Sequence, residues 1–241
     1  MTREQRNAQL QRFATSSFIS GYKRFLCAPR YGHRLEIDIR RKRTPSAVEL
    51  RLGHFLGGSV RLGTALSQVL VGLNEFASTI LNTNFAAAVR DVPGLQDALF
   101  GPELIQGIAL MITAGTSGIE AELLRKSVQE VLFQIGGTEL ELTRPELEER
   151  VVSFLRRRGS AGLIRRFLSL HVFNIVWFQT GDSFRSLAWT PKSFVSDMER
   201  VERACQQVVQ RTWRSLKISG PLDRSSAGQL VEQLSNRLTG A

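Results

Sequence analysis

Hydrophobic positions follow two periodicities along the chain, and the change from one to the other divides it. From Ser59 onward the apolar residues recur every three or four places: Leu62, Leu66, Val69, Leu73 and Phe76, with Leu70 and Ile80 widening the stripe. That spacing is one face of an α-helix. Residues 59–90 are therefore expected to form one or two helices. With only Arg61, Glu75 and Arg90 charged, they belong at the centre of a core. Asp91-Val-Pro-Gly94 breaks the run. Short helices at Leu95–Leu99 and Glu103–Thr113 follow, then the loop Ala114-Gly-Thr-Ser-Gly118 and a charged helix at Ile119–Gln134 ended by Gly136-Gly137.

The C-terminal part carries the clearest helix signals. Thr143-Arg-Pro-Glu146 places a cap residue, a proline just inside the helix and an acid in the first turn. This helix is expected to end at Arg156-Arg157-Arg158, with Gly159-Ser-Ala-Gly162 as a link. The next runs over Ala161–Phe178, with Gly181 closing it. Thr190-Pro191 opens a long helix to about Leu216, in which Phe194, Met198, Val201, Cys205, Val208 and Thr212 alternate at four and three. A last short helix spans Ser226–Leu238.

Upstream of Ser59 the period is two. Leu35, Ile37 and Ile39 alternate with polar residues, as do Val48, Leu50 and Leu52, and a basic loop containing Pro45 joins the two runs. This predicts a β-hairpin with a charged tip. Residues 2–26 read as a basic amphipathic helix, or a helix plus an extended arm, before it, and Thr138–Thr143 as a short extra strand. The expected fold is thus mainly α: a basic N-terminal arm at 1–58, with helix and hairpin, on a continuous helical core at 59–241.

Charge sharpens the division. The 241 residues hold 32 basic and 22 acidic side chains, a formal net of +10. Residues 1–51 carry 12 basic and 4 acidic groups, residues 52–140 carry 4 and 8, and residues 141–241 carry 16 and 10. A basic–acidic–basic chain can fold its two ends onto one cationic face, the footprint of a polyanion site. Of the basic residues, 27 are arginine, whose planar fork suits phosphate and whose face stacks on bases. Base composition of a genome yields the same bias.

The clusters are local. Arg40, Arg41, Lys42 and Arg43 form the hairpin tip, where a charge run has no packing role and is free to grip phosphate, or is simply a solvated turn. Lys23, Arg24, Arg30 and Arg34 interleave with Tyr22, Phe25 and Tyr31, the composition of sites where bases stack and phosphates pair. Arg156, Arg157 and Arg158 complement the dipole at a helix end. Arg165 and Arg166, expected in the opening turn of the next helix, conflict with it, and such local conflicts mark function. Five arginines at one helix–helix corner would make a polyanion site.

Catalytic and metal patterns are sparse. There is no Gly-x-x-x-x-Gly-Lys phosphate loop, no Gly-x-Ser-x-Gly elbow and no His-Glu-x-x-His. Two cysteines and three histidines advertise no metal site by their spacing, and no cofactor is expected. Arg166-Phe-Leu-Ser-Leu-His171 has an Arg-x4-His spacing and resembles the pattern of the HEPN ribonucleases, all-helical domains that cut RNA with arginine and histidine from paired helices. The resemblance covers six residues and departs from the family at Phe167, where a polar residue usually stands. It implies His171 as acid/base at the 2′-hydroxyl and Arg166 on the phosphate. The neighbours Leu168, Leu170, Val172 and Phe173 are those of a packed core histidine.

The longest uncharged apolar stretches, at 62–74, 104–119 and 167–179, fall short of the roughly 18–20 apolar residues a spanning helix needs. No secretory leader opens the sequence, and the free thiols fit a reducing, intracellular compartment. These features favour a non-enzymatic protein that binds RNA or single-stranded DNA through its phosphates, as a subunit or coat component of a nucleoprotein assembly. Its rivals are a structural subunit of an oligomer or protein complex, a HEPN-like ribonuclease, and a peripheral binder of anionic membrane.

Overall fold

The computed structural model describes the backbone of residues 62–92, 101–137, 142–187, 191–218 and 221–239, and the side chains of these except 179–198, 200 and 239. The expected N-terminal arm, with its hairpin and the cations Lys23, Arg24, Arg30, Arg34, Arg40, Arg41, Lys42 and Arg43, lies outside the described residues. So do the short helix at 95–99 and most of the strand at 138–143. The described chain is mainly α, with seven helices and no strand.

Helix α1 (Thr64–Asn82) is central, as its lack of charge predicts. It buries Leu66, Val69, Leu70, Leu73, Phe76, Ala77 and Ile80, and most later helices of the described chain pack against it. A single turn, α2 (Phe85–Ala88), follows; Asn84 caps it by accepting from the Ala87 amide at 2.7 Å. Phe85 sinks edge-on against Phe76, with ring centroids 6.3 Å apart. Helix α3 (Gly101–Ile112) and helix α4 (Gly118–Gly136) come next, joined by the loop at 113–117.

Helix α5 (Arg144–Leu187) is one element in two arms, 144–158 and 160–187, bent at Gly159. Helices α6 (Pro191–Ser215) and α7 (Arg224–Thr239) complete the chain. The most extensive seam lies between α4 and α5, followed by those of α5 with α6 and with α1. One apolar cluster runs through all of these, from Leu62 to Leu238.

Several helix ends follow from local chemistry. The Thr143 amide and hydroxyl both donate to Glu146 Oε2, at 2.9 and 2.8 Å, and the Glu146 amide reaches back to Thr143 Oγ1 at 3.5 Å. This reciprocal pair closes the first turn of α5. Asp223 does the same for α7: its Oδ1 accepts from the Ser226 amide at 2.7 Å, so the helix starts two residues before Ser226. The start of α1 is held from a distance, because the Gly63 amide donates to Glu120 Oε1 of α4 at 3.2 Å.

Two expectations need correction. Gly181 does not close its helix, since α5 continues to Leu187. One glycine inside a helix costs only about 1 kcal/mol against alanine, too little to end it alone. The link at 159–162 shrinks to a single residue: Gly159 has φ 66° and ψ 179°, and helix resumes at once. That backbone region is open essentially to glycine alone. Of the strand expected at 138–143, Leu142 and Thr143 are described, and what they form is one bridge position at Thr143. The Leu142 carbonyl accepts the Gly101 amide at 2.7 Å.

Candidate nucleic-acid interface

The bend at Gly159 decides where the arginines go. Arg156, Arg157 and Arg158 all lie exposed at the end of the first arm, and among the described residues no ion pair neutralises them. Because helix restarts at Ser160, Arg165 and Arg166 sit in the second turn of the second arm rather than its opening turn. The conflict with the helix dipole, which fades within the first turn, is therefore smaller than the sequence implied.

These two neighbours part company. The Arg165 guanidinium lies over the Trp213 ring of α6, 5.8 Å from its centroid, and its Nε donates to the Ala161 carbonyl at 3.1 Å. Arg166 turns the other way, over the Phe154 ring at 5.9 Å, with its Nε donating to Gln134 Oε1 of α4 at 3.0 Å. Partial burial lowers the Arg166 guanidinium from its usual value, and Glu202 opposes that shift. At neutral pH it remains a cation.

Arg166 and Arg157 thereby open onto one cleft of about 390 Å³ between the end of α4 and the first arm of α5. Gln134, Ser153, Phe154, Arg150 and the carboxylate of Glu149 also line it. Arg150 braces the wall, donating to the Gly136 carbonyl at 2.6 Å, where the α4 C-terminus leaves a carbonyl unpaired. Arg157 is steadied by its own helix, with Nε donating to the Ser153 carbonyl at 3.1 Å. The cleft thus carries three guanidinium groups against one carboxylate. Of the five arginines expected at the corner, Arg157 and Arg166 share it, while Arg165 is engaged on the other side by Trp213.

Gln134, Arg150, Ser153 and Phe154 were not among the residues the sequence singled out. A signal existed. Arg150 and Arg157 are seven residues apart, hence on one helix face, with Ser153 and Phe154 between them. Gln134 carried none, because its partner Arg166 is 32 residues away.

His171 has a different environment. It is 1% exposed and stacks on Phe167, with centroids 5.7 Å apart and ring planes 7° from parallel. Its Nδ1 meets Ser127 Oγ of α4 at 3.1 Å. Ser127 donates to the Leu123 carbonyl and also accepts from Asn174 Nδ2, at 2.7 and 3.1 Å. Asn174 in turn donates to Glu130 Oε2 at 2.6 Å. Burial drives the His171 imidazole down to about 4 and raises the Glu130 carboxyl, against the lowering effects of Asn174 and Lys126. Arg166 and His171 are therefore not brought to one surface: one rims the cleft, the other lies inside the seam. That geometry gives His171 a packing role, bridging α5 to α4 while neutral.

No group of three or more histidine, cysteine, aspartate or glutamate side chains is placed to hold a metal ion, among the described residues. Cys205 is buried, and burial, with Glu202 adding, pushes its thiol up to about 12. No helix of the described residues is long and apolar enough to cross a membrane. Compared with family models, characterised proteins and solved structures, the chain matches none of them.

Proposed function

We propose that this protein binds nucleic acid, RNA or single-stranded DNA, through its phosphates, and serves without catalysis as a subunit or coat component of a nucleoprotein assembly. The observation that carries this reading is the meeting of Arg157 and Arg166, one from each arm of α5, in a cleft beside the exposed Arg156 and Arg158. Paired forks of this kind fit phosphate oxygens, and backbone contacts set affinity without fixing sequence. The cations of residues 23–43 would add phosphate contacts of their own.

The test is the salt dependence of binding. Each phosphate neutralised on a single strand contributes roughly 0.7 to the log–log slope. Arg157→Ala with Arg166→Ala is expected to reduce the slope by at least roughly 0.7, one phosphate contact. Alanine at Arg40, Arg41, Lys42 and Arg43 is expected to reduce it further. An unchanged slope in both variants rejects the proposal.

A second reading, a protein-interaction subunit, draws support from Leu110 and Ile119. These are 46% and 59% exposed, on either side of the loop joining α3 and α4. The described part of the α6 stripe gives it none, because Val201, Cys205, Val208 and Thr212 are spent inside this chain. Sedimentation at several concentrations, with and without oligonucleotide, separates the two readings.

A further inference from the structure

The cleft does more than collect positive charge. Arg166 is held from two sides: its guanidinium lies over the Phe154 ring, 5.9 Å from the centroid and within cation–π range, and Gln134 holds its Nε at 3.0 Å. A guanidinium pinned at one edge and facing an aromatic ring offers a flat, charged platform. The residue is exposed, so the platform is reachable, and among the described residues it makes no other hydrogen bond. Both Nη groups are left for a ligand.

Arg157, on the same lining, supplies a second cation whose Nε is already tied to its own helix. A volume of about 390 Å³ lies at the small end of the range for small-molecule sites. A volume of that order has room for about one nucleotide.

Resting on the nucleic-acid reading above, we infer that this cleft takes one unstacked nucleotide of a single strand, its base on the outer face of the Arg166 guanidinium and its phosphate on Arg157. A base inside a duplex is stacked on both faces and cannot reach such a platform, whereas a splayed base can. Arginine planes and aromatic rings are the usual supports for such bases. The protein therefore selects single strands over duplex, and does so through the shape of Arg166 rather than its charge. Glu149 on the lining and Glu202, which acts on Arg166, both oppose a second phosphate there.

Fluorescence anisotropy with the full chain tests this, using a labelled single-stranded oligonucleotide and the duplex of the same sequence at matched salt. Arg166→Lys keeps the charge and removes the plane. It is expected to weaken single-strand binding about tenfold, the order of one stacked base, while leaving duplex affinity and the salt slope unchanged. Gln134→Ala, which frees Arg166 without altering it, is expected to produce a smaller loss in the same direction. Both residues are exposed, and far-ultraviolet circular dichroism reports that each variant is folded.

If Arg166→Lys binds the single strand as tightly as the parent, or loses equally on both strands, the stacked nucleotide is overturned while phosphate binding stands. If the parent binds neither strand at low salt, the phosphate reading falls with it.

Discussion

The seam between α4 and α5 and the elbow at Gly159 are built from the same two helices, yet they treat polar groups in opposite ways. In the seam, Ser127, His171, Asn174 and Glu130 satisfy one another, and the histidine is kept neutral. At the elbow, Arg156, Arg157, Arg158 and Arg166 lie exposed at the surface. Five positions along one helix separate Arg166 from His171, and that interval takes the chain from solvent to core. Proximity in sequence therefore says little about shared chemistry on a helix; the face decides.

The comparison makes the seam a stability element and the elbow the proposed binding element, and variants can break it. The largest effect is expected for Phe167→Ala, which removes a fully buried ring together with the surface on which His171 stacks. Such truncations cost about 3–5 kcal/mol, read from urea unfolding.

Acid is expected to follow closely. His171 takes up a proton near 6.5 when unfolded and near 4 when folded, so between those values the unfolded chain holds more protons. Stability is accordingly lost as pH falls from 6.5 to 4, by about 3 kcal/mol from this group, and levels off below. Glu130, raised in the folded state, opposes the loss from its own folded value down to the ordinary carboxyl range. Urea midpoints at both ends of the window check this. The loss is expected to shrink in His171→Leu, and an equal loss in that variant refutes the assignment.

A smaller cost, about 2 kcal/mol, is expected for Gly159→Ala, from the backbone alone, since no atom lies within 4 Å of an added Cβ. Smallest in stability is Arg157→Ala with Arg166→Ala, expected within about 0.5 kcal/mol as for other surface changes. The same pair is expected to cause the principal loss of oligonucleotide affinity. A pair that unfolds the protein, or leaves affinity intact, erases the distinction between the two regions.

Periodicity made much of the described fold legible. The stripe from Leu66 to Ile80, the cap at Thr143 and Glu146, and the run from Val201 to Thr212 are all local patterns. Each appears in the structure as the helix it predicts. Gly181 misled because one glycine's low propensity is too weak to end a helix by itself. Thr143 shows the opposite case, where a cap needs only its own neighbours.

The seam network was invisible for a different reason. Its bonds join residues 44 to 47 positions apart, and no spacing rule reaches that far. The cleft was half legible: its cations stood out as clusters, whereas the split between Arg165 and Arg166 depended on where Trp213, Phe154 and Gln134 come to rest.

The bond from the Gly63 amide to Glu120 ties the first described turn to a carboxylate 57 residues further on. The opening of α1 has no side-chain cap of its own. Its earliest amides are therefore sheltered only while α4 is docked, and their deuterium uptake becomes a local clock for that docking. In a Glu120→Gln or Glu120→Ala chain these few positions should exchange sooner, while the amides at the middle of α1 keep their original rate.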